Sequence, residues 1–269
     1  FKMNTVDLPL EGTAKFRVRE LVHLSGYRYI IIGRTQLLPV VVKPEEKGFS
    51  LIVGTPLQMK IDEDLFPHVD NLDDDNFAMV YENDIYLYTN HGSWVDGDKP
   101  SLKLAGEPKR MHRRLDFHGI AGMDSTHWVV AATGKVYNST SHYISTRAWL
   151  VSLHGSEMVV SEHIYVPWSM TCGWFGMDNI GNSHVVIAYS DLSDHGVRAV
   201  LLKFNKEAES IAFGSQTVMQ KGGSIVDFEQ IDVTVISNRR FVVTYEDGAA
   251  HGLMMVMGAR TPSDDIIPT

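Results

Sequence analysis

The sequence has one cysteine, no long apolar run and almost no helical periodicity, and each absence narrows the range of folds. Because Cys172 is the only cysteine in 269 residues, an intrachain disulfide and a multi-cysteine zinc site are excluded. No run approaches the roughly 20 apolar residues that a membrane-spanning helix needs, so we expect no membrane insertion. Apolar residues at helical spacing are missing, and short β-branched and aromatic runs between Gly, Asp, Asn and Pro dominate instead.

Positive charge is also scarce. The chain has 24 Lys and Arg against 33 Asp and Glu, which gives a formal net charge of −9. Proteins that bind nucleic acid draw on clustered Lys and Arg, so we expect no nucleic-acid partner. One basic cluster exists, and it consists of Lys109, Arg110, His112, Arg113 and Arg114. It has two interpretations, a solvated loop between strands or a contact with an acidic partner.

One apolar phrase returns about every 50 residues. It reads RYIIIG from Arg28, NFAMVYEND from Asn76, HWVVAATG from His127, HVVIAYSD from His184 and RFVVTYED from Arg240. Each of the first four copies is followed by three further strand-like segments, and this period with strand-rich units is typical of a β-propeller. The phrases are continuously apolar rather than alternating, so we expect both faces of these strands to be buried.

The two ends of the chain are incomplete in complementary ways. After the last phrase we expect only GLMMVMGAR as a strand and TPSDDIIPT as a tail, whereas the N-terminus offers MNTVDLP and FRVRELVHL. The sequence therefore predicts an all-β, five-bladed propeller of four-stranded antiparallel blades, closed by N-terminal strands that complete the C-terminal blade. We predict one domain over 1–269, with blades at about 27–75, 76–126, 127–183, 184–239, and 240–260 joined with 1–26. A β-sandwich is the alternative, but it leaves the period unexplained.

Aromatic and acidic residues recur where the repeated strand ends. These candidate ligand-binding residues are Tyr81, Glu82, Tyr189, Asp191, Tyr245 and Asp247. An insertion adds the pair Trp94 and Asp96. Aromatic faces pack on sugar carbons and carboxylates accept hydroxyl protons, so these residues are candidates for carbohydrate binding. The structural alternative is that the Tyr residues pack between blades and the acids cap turns, and that Trp94 folds back on a blade.

Metal binding and glycosylation each have one candidate. Asp70, Asp73 and Asp75 place carboxylates close together, as a calcium site would, although no glycine lies within the run. The alternative is a set of Asx turns, in which the side chains cap backbone amides. Calcium is the only cofactor considered, and otherwise we expect none. Asn138 begins the sequon Asn-Ser-Thr, which favours a surface loop, a glycoprotein and an extracytoplasmic or secreted location.

The phrases RFVVTYEDG and HVVIAYSDLSDHG resemble repeats of propellers of the integrin-α and lectin-like kind. The resemblance covers most of the chain and implies recognition of carbohydrate or of a protein partner. No elbow, zincin or phosphate-loop motif is present. The leading hypothesis is therefore a non-catalytic binding or assembly module that uses loops on a propeller face. The alternative is a glycoside hydrolase with a carboxylate pair at the tunnel mouth, so enzymatic activity stays open.

Overall fold

The computed structural model describes residues 18–269 except 19, 34, 47, 60–66, 84–85, 114, 116, 138–141, 166–174, 182, 192–193, 195, 222–230 and 248–251. It does not describe the side chains of 135–137, 142–144 and 247. Within this part of the chain the structure is all-β, with 23 strands in five sheets. None of the described residues forms a helix of the length and apolarity that crossing a membrane requires.

The first three sheets each have five strands. The first sheet contains β1 (Glu20–Ser25), β2 (Arg28–Ile32), β3 (Gln36–Glu45), β4 (Gly48–Val53) and β5 (Leu57–Gln58). The second contains β6 (His68–Asn71), β7 (Asn76–Asn83), β8 (Tyr86–Val95), β9 (Ser101–Leu104) and β10 (Lys109–Arg113). The third contains β11 (Phe117–Asp124), β12 (His127–Tyr137), β13 (His142–His154), β14 (Glu157–Val160) and β15 (Ile164–Tyr165).

The last two sheets each have four strands. The fourth sheet contains β16 (Phe175–Gly181), β17 (His184–Asp191), β18 (Gly196–Asn205) and β19 (Ser210–Gln220). The fifth contains β20 (Ile231–Ser237), β21 (Arg240–Asp247), β22 (Gly252–Arg260) and β23 (Ile266–Pro268). All pairs within the sheets are antiparallel, and the sheets form the blades of a five-bladed propeller. The predicted fold class is thereby confirmed.

The repeated apolar phrase forms the second strand of every blade. These strands are β2, β7, β12, β17 and β21. Each has a strand on both sides, and in β17, which also has a neighbouring blade against each face, all eight residues are buried. The continuous apolar run of β17 is therefore explained as predicted, because none of its positions meets solvent. β2 and β21 are only partly buried, and Glu246 at the end of β21 is exposed.

The prediction grouped the strands into blades with the wrong phase. The segment assigned to the end of one blade is the first strand of the next, as β11 shows by pairing with β12 at Ile120 and Val130. Accordingly β1, which contains residues 20–24 of the predicted segment 16–24, pairs with β2 instead of the fifth blade, and the predicted tail supplies β23. The short turns after β1, β6, β11, β16 and β20 favour local hairpins. Residues 3–9 lie outside the described residues, and the domain extent of 1–269 stays a prediction.

Apolar cores lie between successive blades rather than inside them. Phe77 belongs to the core between the first and second blades, and Trp128 to the core between the second and third. Tyr189 lies between the third and fourth blades, and Phe241 between the fourth and fifth. Among the described residues, no apolar core joins the fifth blade to the first. The face of the fifth blade that is turned away from the fourth therefore lacks the shared apolar core that joins the other neighbouring blades.

Two glycines allow the inner strands to approach each other at the axis. A Cβ atom on Gly122 of β11 would lie 2.0 Å from the carbonyl oxygen of Asn71 on β6. A Cβ atom on Gly176 of β16 would lie 2.7 Å from the Cα atom of Asp232 on β20. Real Cβ contacts are much longer, so both positions require glycine for close backbone packing.

Candidate functional site

Half-buried aspartates link the inner strands of neighbouring blades. The Gly122 amide N–H of β11 donates to Asp70 Oδ2 of β6 at 2.7 Å. The Val235 amide N–H of β20 donates to Asp178 Oδ2 of β16, also at 2.7 Å. An inner strand is the edge of its sheet, and its free backbone groups need acceptors and donors from elsewhere. The aspartates therefore satisfy the inner edges and join the blades.

The inner strands surround an axial cavity of about 400 Å³. Its lining residues are Asp70, Asn71, Leu72, Gly122, Met123, Asp178, Asn179, Ile180, Gly181, Val235, Ile236, Ser237 and Asn238. Burial raises the pKa of Asp70 to about 7, opposed by the Gly122 amide and assisted by the charge of Asp178. Burial also raises the pKa of Asp178. The cavity thus combines carboxyl and amide groups with apolar side chains, and Asp70 is partly protonated near neutral pH.

Trp94 and Asp96 form part of a contact between the first two blades. Trp94 is 6% exposed, and its Nε1–H donates to Asp96 Oδ1 at 3.0 Å. Arg28 of the first blade donates to Asp96 Oδ2 at 2.8 Å and also to Asp75. The indole therefore packs in a core, as the structural alternative predicted, and only the Asp96 carboxylate is well exposed.

The tyrosines at the ends of the repeated strands pack in the cores between blades. Tyr81, Glu82, Tyr189, Asp191 and Tyr245 are all buried. The Tyr81 ring stacks on Tyr88 with centroids 5.8 Å apart, and Glu82 Oε1 accepts from the Leu115 amide. Asp191 forms an ion pair with Arg198 at 2.8 Å. The Asp247 side chain lies outside the described residues. A sugar would have to displace core contacts to reach the buried group, so its role in binding stays a prediction.

Each aspartate of the predicted calcium site has a partner of its own. Asp73 Oδ1 accepts from the amides of Asp75 and Asn76 at 2.9 and 2.8 Å, which is the predicted Asx turn. Asp75 pairs with Arg28, and Asp70 faces the axial cavity. The described part of the chain contains no group of three or more His, Cys, Asp or Glu residues placed to hold a metal ion. Calcium binding stays a prediction, and Asn138 lies outside the described residues.

The outer edge of the fifth blade is a feature that the sequence did not indicate. In the fourth blade, β19 pairs with β18 from Val197 to Asn205. In each of the first three blades, two short strands share this position along the third strand. In the fifth, β23 pairs with β22 only at 258–260, and Thr269 donates to the Met257 carbonyl. Residues 252–256 of β22 have no outer strand among the described residues, and we call this segment the open edge.

The open edge and the residue that follows it carry large, apolar side chains that are exposed. Leu253 is 78% exposed and Met255 65% exposed, and the two share one face of β22. Met254 and Met257 are also exposed, although less so. The segment GLMMVM contains no Lys or Pro, the residues that usually protect an edge strand. A sequence reading could have found this signal, since an apolar run with no polar alternation needs cover on both faces.

Comparison with known proteins supports the fold and does not indicate a function. No family model matches the chain, and no curated protein matches it. A cryo-EM structure of RAG in complex with one melted and one unmelted RSS is similar, with a TM-score of 0.51 and 11% identity over 93% of this chain and 80% of that one. A hypothetical selenium-binding protein from Sulfolobus tokodaii has a TM-score of 0.40 and 10% identity over 90% and 74%. The first likeness supports the fold alone, and the second carries no argument.

Proposed function

We propose that the chain is a binding module that captures an extended segment of a protein partner along the open edge of β22. The propeller fold supports a binding or assembly module in general. The observation that carries the proposal is the run 252–256, which has no outer strand among the described residues, whereas every other blade has one at this position. A strand from a partner would complete the fifth blade as β19 completes the fourth.

The chemistry of the open edge suits a polypeptide better than a sugar. Backbone N–H and C=O groups of β22 would pair with those of the added strand, and this pairing supplies affinity without sequence preference. Leu253 and Met255 would contact alternate side chains of the segment, and methionine adapts to irregular partners. The open edge has no charged side chain to bind hydroxyl groups. We therefore expect a segment of about five or six residues with alternating apolar side chains.

A labelled peptide tests this proposal. The probe is a fluorescent peptide of alternating valine and threonine with lysines at both ends, and binding is followed by fluorescence anisotropy. Wild type should bind it saturably, whereas the same peptide with a central proline should not bind, because proline cannot donate to the ladder. The double variant L253K/M255K should weaken binding at least tenfold. Ile236→Lys, an exposed apolar position on β20 of the same blade, is the matched control and should keep wild-type binding.

Two outcomes contradict strand capture. One is the absence of saturable binding to wild type at millimolar peptide. The other is equal binding by wild type and L253K/M255K, which would mean that the peptide docks elsewhere. Circular dichroism of each variant establishes that the sheets are intact.

The axial cavity supports a second candidate, carbohydrate binding with or without hydrolysis. Its volume of about 400 Å³ is within the range of small-molecule sites, and its carboxyl and amide groups suit hydroxyl groups. Asp70, with a pKa of about 7, would serve a hydrolase as proton donor and Asp178 as the second carboxyl group. However, both also accept backbone amides that join the blades. A glycan array beside a hydrolysis assay on the same sugars separates binding from turnover, and turnover that Asp70→Asn abolishes would favour the enzyme.

A further inference from the structure

A buried arginine with no acidic partner among the described residues lies between the second and third blades. Arg147 of β13 is 7% exposed, and Trp149 and Val151, which follow it on the same face, pack in the core that these blades share. No described aspartate or glutamate forms an ion pair with Arg147, although other described arginines have such pairs. A buried charge without a counter-ion is costly, so the position calls for an explanation.

The groups that contact Arg147 are neutral. The His112 Nδ1–H donates to the Arg113 carbonyl at 2.9 Å, which leaves Nε2 free to accept from Arg147 Nη1. Burial lowers the pKa of His112, and the charge of Arg147 lowers it further. The His163 ring lies 6.1 Å from His112. Burial, Arg147 and His112 lower the pKa of His163, and the charge of Glu162 opposes them. Arg147 is therefore a permanent cation beside two histidines that are mostly uncharged at neutral pH.

Two buried polar atoms on this face of β13 have no hydrogen-bond partner in the part of the chain that the structure describes. They are Arg147 Nε and Ser145 Oγ, two residues apart in the strand. Buried donors are almost always satisfied in folded proteins, and two unsatisfied donors side by side indicate a missing acceptor. The Nε edge of a guanidinium is also one of the edges that bind carboxylates and phosphates with two parallel hydrogen bonds.

The neighbouring strand β10 brings further positive charge to this site. The pairing of β10 with β8 shifts register between Arg110 and His112, which indicates a β-bulge. At this bulge Met111 packs on the core shared with the third blade, and His112 contacts Trp149. Lys109, Arg110 and Arg113 stay exposed on the same strand. A local excess of positive charge attracts anions even though the whole chain is acidic.

We propose that Arg147 and Ser145, with His112 beside them, form a site for a tetrahedral oxyanion, either phosphate or sulfate. Arg147 and Ser145 would donate to the oxyanion, and the anion would supply the negative charge that the buried guanidinium lacks. Tyr165, whose ring centroid lies 5.4 Å from the guanidinium carbon, is 55% exposed and borders the site on the solvent side. The site goes beyond the proposed function, because it lies between the second and third blades and away from the open edge.

Thermal unfolding in matched salts tests the site. The protein is heated in sodium phosphate, sodium sulfate or sodium chloride at equal ionic strength and pH 7. We expect Tm to rise with the logarithm of oxyanion concentration above the dissociation constant, by roughly 2–4 °C at ten times that constant, relative to chloride. The phosphate and sulfate arms establish which oxyanion the site prefers.

The decisive variant is Arg147→Met, which removes the cation and keeps an apolar stem of similar length. It should abolish the response to phosphate and sulfate, yet its Tm in chloride should equal or exceed that of wild type, because an unpaired buried charge has been removed. Arg239→Gln, at an exposed turn of the fifth blade, is the control and should keep the full response. The proposal is overturned if neither oxyanion acts differently from chloride, if Arg147→Met keeps the response, or if that variant loses stability in chloride.

Discussion

At the scale of single residues, the carboxyl group of Asp70 both joins two blades by a hydrogen bond and has a raised pKa. Asp70 accepts backbone N–H groups from Gly122 and Asn71, and these bonds favour its charged form. Burial outweighs them and raises its pKa to about 7. Asp178 shows the same arrangement between the fourth and fifth blades. It accepts from the Val235 N–H, and burial again raises its pKa. Such groups make the stability of the axis depend on pH.

The sign of this dependence follows from proton linkage. Below about pH 4 the Asp70 carboxyl is protonated in both states, whereas between about pH 4 and 7 it ionises only in the unfolded chain. Stability is therefore lost as pH rises through this window. We expect Asp70→Asn to remove up to about 3 kcal/mol of the fall in unfolding free energy between pH 5 and 8, measured by urea unfolding.

Asp73→Asn is the control for this measurement. Burial raises the pKa of Asp73, but hydrogen bonds from Asn76 and Asp75 outweigh this effect and keep the pKa below its usual value. The change in stability that comes from ionisation of Asp73 therefore lies below about pH 4. The variant should therefore show the same fall as wild type between pH 5 and 8. If Asp70→Asn retains the whole fall, another group is responsible for it.

At the scale of elements, the inner strands β6, β11, β16 and β20 depend on close backbone approach. Gly122 contributes to three contacts at once, since its amide donates to Asp70 and its carbonyl accepts from Asn179 at 2.6 Å while its Cα faces Asn71. A side chain at this position would force β6 and β11 apart and break both hydrogen bonds.

Gly122→Ala should therefore be strongly destabilising. We expect a loss of more than about 2 kcal/mol in unfolding free energy, from steric overlap and from the two broken hydrogen bonds. Gly97→Ala, whose Cβ would lie 3.5 Å from the nearest atom in an exposed turn, should change stability by less than about 0.5 kcal/mol. Urea midpoints of both variants measure the difference, and equal midpoints would contradict close packing at the axis.

At the scale of the whole molecule, no blade has a core of its own. The apolar side chains of each blade pack against those of a neighbouring blade. Phe241 of the fifth blade, for example, shares a core with Ala199 and Leu201 of the fourth. A blade that unfolds exposes half of two cores at once. We therefore expect the blades to unfold together rather than in sequence.

Phe241→Ala tests this cooperativity. The side chain is fully buried, and its loss should reduce the unfolding free energy by about 3–5 kcal/mol. Far-UV circular dichroism reports all sheets. Tryptophan fluorescence reports Trp94, Trp128 and Trp149 of the second and third blades together with Trp168 and Trp174, and the fifth blade contains no tryptophan. Both midpoints should fall equally in urea. A fluorescence midpoint that stays at the wild-type value while the dichroism midpoint falls would mean that the blades unfold independently.

The sequence by itself determined the number of blades and the buried second strand of each, because period and continuous apolarity are local properties. It also indicated the Asx turn at Asp73, since such a turn needs only neighbouring residues. The tertiary structure alone decided the phase of the blades, because a tandem repeat looks the same when its boundaries move by one strand. It alone placed Asp70 beside Gly122 and Arg147 beside His112. Those relations join residues that are far apart in the chain, so no local pattern contains them.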